Sequence, residues 1–163
     1  MLFDLHVHSK DSSCSKLTMK QIIMSAKLKD LDAVCIVNHD KISEIHLKSR
    51  ILILIGCEVT TKDGHLLIFG LNEEITKDLP VEEALELIHE QGAIAIGAHP
   101  FRNIEYVENS ATEKSISSKP VIGGSDAHFQ EEIGKIKMES KIFIEDINDL
   151  IEAIKKNGFR FIF

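Results

Sequence analysis

The chain has 163 residues, 44% hydrophobic and 28% charged, which fits one globular domain over residues 1–163 and excludes a disordered chain. No apolar run approaches the roughly 20 residues that span a bilayer, and no signal-peptide core precedes the first polar residues, so we expect a cytoplasmic protein without a membrane partner. The net charge of −7 makes nucleic acid an unfavourable partner, because phosphate backbones are held by clustered Lys and Arg.

The first predicted strand and helix are separated by a polar loop. An apolar run ends at His6 and His8, and Thr18 and Gln21 have the spacing of a capping box, which predicts a helix start. The apolar residues that follow recur at helical spacing and form one buried stripe. Ala33 to Val37 is continuously apolar, as is typical of a strand buried in a parallel sheet. The pattern to this point is strand, helix, strand.

A turn signal interrupts this alternation in the middle of the chain. The elements predicted around it are a short helix and two strands, over residues 42–49, Ile51 to Ile55 and Leu66 to Leu71. The turn signal is Lys62 to Gly64. Glu58 and His65 are therefore expected to be neighbours across a hairpin-like turn.

The second half of the chain contains two more amphipathic helices. Pro80 and Gly92 bound the first helix, and Asp146 caps the second, which ends at Gly158. The strands predicted here are Ala93 to Ile96, a short one near Ile104 to Val107 in the polar 103–119 loop, Lys141 to Ile144, and Phe159 to Phe163. Buried strands alternating with amphipathic helices predict an α/β fold with a largely parallel sheet.

The three cysteines, Cys14, Cys35 and Cys57, are an odd number at scattered spacing. This argues against a disulfide framework and indicates a reducing compartment. Cys35 and Cys57 lie in apolar runs and are predicted to be inert core residues.

Metal-ligating residue types recur at the ends of the predicted strands. His6 and His8 occupy positions i and i+2 of a strand, so both imidazoles can face one ion. Residues of the types that ligate metals recur further along the chain, at His39, Glu58, His65, His99, Asp126 and His128. Functional groups collect at the carboxyl ends of strands in α/β folds. Gly123 and Gly124, just before Asp126, indicate a close backbone approach. The series predicts a metal site.

Together these residues resemble the PHP family, the polymerase and histidinol phosphatase domain of metal-dependent phosphoesterases. The motifs that carry the resemblance are Asp4 to Ser9, Asn38 to Asp40, Glu58 with Gly64 and His65, His99 with Pro100, and Gly124 to His128. The resemblance covers nearly the whole chain and implies a distorted barrel of the (βα)7 type. It also implies a hydrolase with two or three divalent ions at its rim, of Zn, Mn or Fe.

The resemblance further implies how the ligands are shared. One ion would take His6, His8, Glu58 and Asp126, a second would take Glu58, His65 and His99, and a third would take His39, His128 and a residue of the loop after His8. That loop residue is Cys14 or Asp11, or the third site is only partly formed. Glu58 would bridge two ions, and Glu58 and Asp126 would be catalytic because they hold the ions that activate a water molecule.

Several alternatives stay open from the sequence. Arg102 either holds a substrate phosphate bidentately or is a solvated surface residue. The 103–119 segment is short for the family, which leaves open whether the barrel is complete. The leading hypothesis is a phosphoesterase acting on a small phosphorylated molecule, a nucleotide or sugar phosphate. The alternatives are a nuclease-like domain and a metal-binding regulatory module without turnover.

Overall fold

The structure, a computed structural model, describes residues 1–45, 47–99 and 122–162. The strands are β1 (Leu2–Val7), β2 (Ala33–His39), β3 (Leu52–Thr61), β4 (Gly64–Phe69), β5 (Ile94–Gly97), β6 (Lys137–Ser140) and β7 (Phe159–Ile162). The helices are α1 (Met19–Leu28), α2 (Val81–Glu90) and α3 (Ile147–Lys155). Within the described ranges, no helix combines the length and apolar character that a bilayer crossing requires.

The strands form one mixed sheet in the order β5-β4-β3-β2-β1-β6-β7, which curls into a half-barrel. Only β1–β2 and β2–β3 are parallel, and the other four strand pairs of the described part are antiparallel. The α/β class is confirmed, but the largely parallel sheet and the (βα)7 barrel are not. The hairpin between β3 and β4 reverses the chain without a crossover helix, and an antiparallel pair results.

Local sequence signals place the three helices where they were expected. Thr18 and Gln21 form a complete capping box at the start of α1. The Asp146 carboxylate accepts hydrogen bonds from the first backbone N–H groups of α3. Pro80 precedes α2 without a side-chain cap, and the Asp63 carboxylate accepts the Val81 N–H at 3.0 Å instead.

Two predicted elements are wrong, because in both places long-range contacts outweigh the local sequence pattern. No helix forms in the described residues of the 42–49 segment, where Ser43 accepts a hydrogen bond from Asn38 and the Ile42 N–H is bound by a carboxylate. The predicted strand Lys141 to Ile144 begins directly after the observed β6 ends. Strand β6 has a single fully buried apolar residue, and its position is determined by pairing with β1 and β7. The short strand predicted near 104–107 falls outside the described residues.

The core lies on both faces of the sheet. Helix α3 packs over one face, against Leu5, Val37 and Phe69 among others, while α1 and α2 cover the opposite face. In β1 the alternation reverses: Leu5 belongs to the α3 face and Val7 to the α1 face. A register shift relative to β2, between Asp4 and Val7, accounts for this reversal. Such a bulge turns the residues after it to the other face.

Candidate metal centre

Five adjacent strands bring most of the predicted ligands together at one end of the sheet, where the strands end or begin. Reading across the sheet from β5 to β1, these strands and the residues that follow them supply His99, His65, Glu58, His39, and the pair His6 and His8. Glu58 lies inside β3, three residues before its end, so it was predicted too close to the strand end. Because β4 is antiparallel to β3, the start of β4 meets the end of β3, and His65 joins the others there.

The segment that carries Asp126 and His128 lies directly on β1. Ala127 pairs with Val7 in an isolated bridge, and the backbone of His8 donates to Ala127 O at 2.9 Å. A Cβ on Gly124 would lie 2.4 Å from the backbone N of His6, so the close approach predicted for this glycine is observed. The contact leaves no room for a side chain at position 124.

Four side chains form the most compact group, His6, His8, Glu58 and Asp126. The Nε2 atoms of His6 and His8 are 3.0 Å apart, and each lies 3.1 Å from Glu58 Oε2. Asp126 Oδ1 lies 3.2 Å from the first Nε2 and 3.1 Å from the second. One imidazole nitrogen has a single in-plane proton or lone pair, so three such neighbours cannot all be hydrogen-bond partners.

These distances fit the edges of a tetrahedron of metal ligands. Ligand atoms at about 2.0–2.1 Å from a tetrahedral zinc ion lie about 3.3 Å from one another. The five separations given above are 3.0 to 3.2 Å. The donor types, imidazole and carboxylate, also suit a divalent transition metal. The spacing and the chemistry of these four donors therefore fit a divalent ion.

The Glu58 carboxylate is fully buried and faces two sets of imidazoles. Its Oε2 faces His6 and His8, and lies 3.5 Å from His39 Nε2. Its Oε1 lies 3.1 Å from His65 Nδ1 and 2.9 Å from His99 Nε2. The expected contact between Glu58 and His65 across the hairpin is thus present. Each oxygen of one carboxylate belongs to a different cluster.

Two further groups of donor atoms surround this carboxylate. In each group the donor atoms lie within 4.8 Å of one another, and the groups are His39 with Glu58 and His65, and His8 with Cys14, His39 and His128. Cys14 is exposed, whereas Cys35 and Cys57 are buried as predicted. Asp11 belongs to no such group within the described residues, so Cys14 is the loop residue that reaches the centre. Arg102 lies outside the described residues.

The charges of the centre are set by burial and by these contacts. Burial opposes ionisation of Glu58, but hydrogen bonds from His6 and His8 hold its pKa well below the usual range. Burial lowers the pKa of His8, yet hydrogen bonds with Asp126 and Glu58 outweigh this and raise it. Burial lowers the pKa of His39. A negative carboxylate surrounded by imidazoles is the charge pattern that a cation would neutralise.

Supporting residues around the centre were not predicted from the sequence. Asn38 accepts the Ser9 N–H at 2.7 Å and donates to Ser9 Oγ at 2.8 Å, which ties the loop after His8 to β2. Asp4, which is buried, and the half-buried Ser125 form a second contact, with Ser125 Oγ donating to Asp4 at 2.5 Å. The signal for Asp4 was a charged residue inside an otherwise apolar strand.

The chain is similar to a family profile and to two archaeal proteins. Residues 111–158 match a family profile described as PHP-associated. Uncharacterized protein MJ1587 of Methanocaldococcus jannaschii is 32% identical, over 64% of this chain and 70% of that protein. Uncharacterized protein MJ0417 of the same organism is 35% identical, over 62% of this chain but only 40% of that protein.

A solved structure supports the fold. The crystal structure of PsfC from Pseudomonas syringae PB-5123 superposes with a TM-score of 0.73, covering 99% of this chain and 91% of that one, at 15% sequence identity. The TM-score indicates a common fold, and an identity this low says nothing about activity. The profile match over residues 111–158 identifies a PHP-associated protein, which is consistent with the PHP domain that the sequence motifs resemble.

Proposed function

We propose that this protein is a metal-dependent phosphoesterase that hydrolyses a phosphate ester of a small molecule, such as a nucleotide or a sugar phosphate. The observation that carries the proposal is the buried Glu58 carboxylate, whose two oxygens face different imidazole clusters. Two-metal hydrolytic sites use a bridging carboxylate in this way to hold both ions close together. The placement of Glu58 is what such a bridge requires.

The first proposed ligand set is one of the three groups of donor atoms; the second takes His99 where its group has His39, and the third is its group without His8, which the first ion uses. The first ion would be held by His6, His8, Glu58 and Asp126, the second by Glu58, His65 and His99, and the third by His39, His128 and Cys14. Imidazole and carboxylate donors suit Zn²⁺, Mn²⁺ or Fe²⁺, while a thiolate at Cys14 favours zinc in the third position.

When bound, these ions would lower the pKa of a water molecule toward neutrality and balance the charge of the phosphate oxygens. The chain's own residues supply the geometry. His6, His8 and Glu58 form a buried floor, at most 4% exposed, which keeps bulk water out. The side chains of His65 and His99 are 31% and 22% exposed. A phosphate would therefore approach from the exposed side, over the rim histidines.

Glu58 keeps its negative charge throughout the neutral range, because its pKa lies well below the usual value. The neutral form of each imidazole leaves one ring nitrogen free to bind a cation. The positive charge of two or three divalent ions would exceed the negative charge of the two carboxylates, even with a thiolate at Cys14. The loaded centre would thus be positive and attract a phosphate, although the chain as a whole carries a net charge of −7.

The test compares purified wild-type protein with Glu58→Gln, and with Glu86→Gln as a matched control. Glu86 is an exposed residue of α2, far in the sequence from every proposed ligand. With Mn²⁺ or Zn²⁺ added, the wild type and the control should hydrolyse a generic aryl phosphate, and Glu58→Gln should lose this activity. Equal turnover by wild type and Glu58→Gln would overturn the proposal.

The choice of substrate distinguishes the remaining readings. Nucleotide and sugar monophosphates should be hydrolysed faster than an oligonucleotide at low salt, because phosphate backbones are held by clustered Lys and Arg and this chain is acidic overall. The opposite preference would favour a nuclease. Tightly bound ions without turnover of any phosphate ester would favour a metal-binding module.

A further inference from the structure

The Asp4 carboxylate is fully buried and saturated with hydrogen bonds. Its Oδ1 accepts the backbone N–H groups of His6 at 3.3 Å and Ser125 at 2.9 Å. Its Oδ2 accepts the Ser125 hydroxyl at 2.5 Å and the Gly134 N–H at 2.8 Å. A carboxylate has about four acceptor positions, and here the chain fills all of them. Asp4 therefore has no lone pair left for an ion, and acts through the groups that it binds.

Three of those four donors, two on Ser125 and one on Gly134, belong to the two ends of one segment. Ser125 immediately precedes Asp126, and Gly134 closes the turn that follows His128. A single carboxylate in β1 thus holds both ends of residues 125–134, the segment that delivers two of the proposed ligands. Hydrogen bonds to a charged, buried acceptor are stronger than those between neutral groups, so this anchor is a firm one.

The anchored segment contains backbone that needs outside support. Asp126 has a φ of 51° and Gly134 a φ of 72°, both in the left-handed region. A non-glycine residue keeps such a conformation when the surrounding structure over-determines it. Asp126 is flanked on one side by the doubly bound Ser125 and on the other by Ala127, which pairs with β1.

We propose that Asp4 is a positioning residue of the metal centre. By anchoring residues 125–134 to β1, it sets the distance between Asp126 and the imidazoles of His6 and His8. The inference rests on the proposed metal-dependent function, but its measurement is metal affinity, so it can stand or fail separately from the phosphoesterase activity.

The substitution Asp4→Asn isolates this role because it keeps the volume of the side chain. An amide has one oxygen acceptor, and its NH2 group faces the donors bound to the other oxygen. The Ser125 hydroxyl can rotate to accept from that NH2 group, but the Gly134 N–H cannot. Asp4→Asn should therefore release the Gly134 end of the segment and leave the Ser125 end attached.

The experiment measures the affinity of the chain for Mn²⁺ alone and Zn²⁺ alone, by calorimetry and by competition with a chelator. Asp4→Asn should bind about 10- to 100-fold more weakly than wild type, the usual effect of removing a group that orients a metal ligand. Ser125→Ala, which loses one hydroxyl and keeps the backbone contact, should show a smaller loss. With Co²⁺, Asp4→Asn should show a changed visible absorption spectrum, which a change in stability alone would not produce.

The matched control is Ser140→Ala, which, like Ser125→Ala, removes a hydroxyl beside β1. Ser140 lies in β6 near the other end of β1, and its Oγ donates to Ile142 O at 2.7 Å. It should bind both ions as the wild type does. Folded Asp4→Asn with wild-type affinity, or an equal loss in Ser140→Ala, would overturn the inference. If Asp4→Asn does not fold, Ser125→Ala decides: unchanged affinity there is equally contrary. Aryl phosphate hydrolysis, measured on the same samples, reports on the proposed function independently.

Discussion

Gly124→Ala is the substitution that tests most sharply how Asp126 reaches the centre. An alanine Cβ at this position would lie 2.4 Å from both the Cβ and the backbone N of His6. Ordinary van der Waals contact begins at 3.4 Å, so the two backbones must separate by about 1 Å. Because β1 is paired on both edges, the segment that carries Gly124 must move, and Asp126 lies two residues along that segment. The expected result is that Asp126 withdraws from His6 and His8.

A displacement of about 1 Å in a catalytic group costs roughly 100-fold in rate. Gly124→Ala should therefore lower metal-supported hydrolysis of an aryl phosphate by that order, and weaken metal binding in the same titration. Gly97→Ala is the control: it adds the same methyl group in β5, where a Cβ would have no described atom within 4 Å. Wild-type rate and affinity in Gly124→Ala, or equal losses in both variants, would refute this reasoning.

The remaining predictions concern stability, thiol reactivity and pH. Thr18→Ala removes the capping box of α1 and should cost about 1 kcal/mol, seen as a fall in melting temperature of roughly 2–4 °C; an unchanged melting temperature would contradict it. Cys14 is exposed and should react with a thiol reagent in the native protein, and bound Zn²⁺ should protect it if it is a ligand; equal labelling with and without Zn²⁺ would exclude ligation. Burial raises the pKa of Cys57 to about 12, so this thiol should react only after unfolding; rapid labelling of the native protein would count against the described core. The pKa of His8 is raised in the metal-free protein, so protons compete with Zn²⁺ for this side chain at a higher pH than for an ordinary histidine. The Zn²⁺ affinity should therefore fall as the pH drops from about 8 to about 6; a constant affinity would speak against His8 as a ligand.

Local sequence patterns were sufficient for the three observed helices and for the contact between Glu58 and His65. The capping box at Thr18 and the cap at Asp146 are short-range signals that depend on few neighbours, and both are present. The turn at Lys62 to Gly64 was enough to bring Glu58 and His65 together, because the register of a hairpin follows from its turn.

Features that depend on distant pairing could not be predicted. The bulge in β1 is one extra residue relative to β2 and leaves no mark in composition, yet it turns His6 and His8 to the face of Glu58. The antiparallel pairing of β6 with β1 was also missed, since strand direction is decided by connections and not by residue type. The anchoring role of Asp4 needs Ser125 and Gly134, which lie far along the chain.

The central claim is that Glu58 is shared between two ions, and counting bound metal tests it most directly. Wild type, Glu58→Gln and Glu86→Gln would be loaded with Zn²⁺, freed of excess ion, and measured for zinc per chain by mass spectrometry. A bridging Glu58 predicts that Glu58→Gln loses two ions together, while Glu86→Gln keeps the wild-type number. Loss of a single ion, or no loss, in Glu58→Gln would contradict the account.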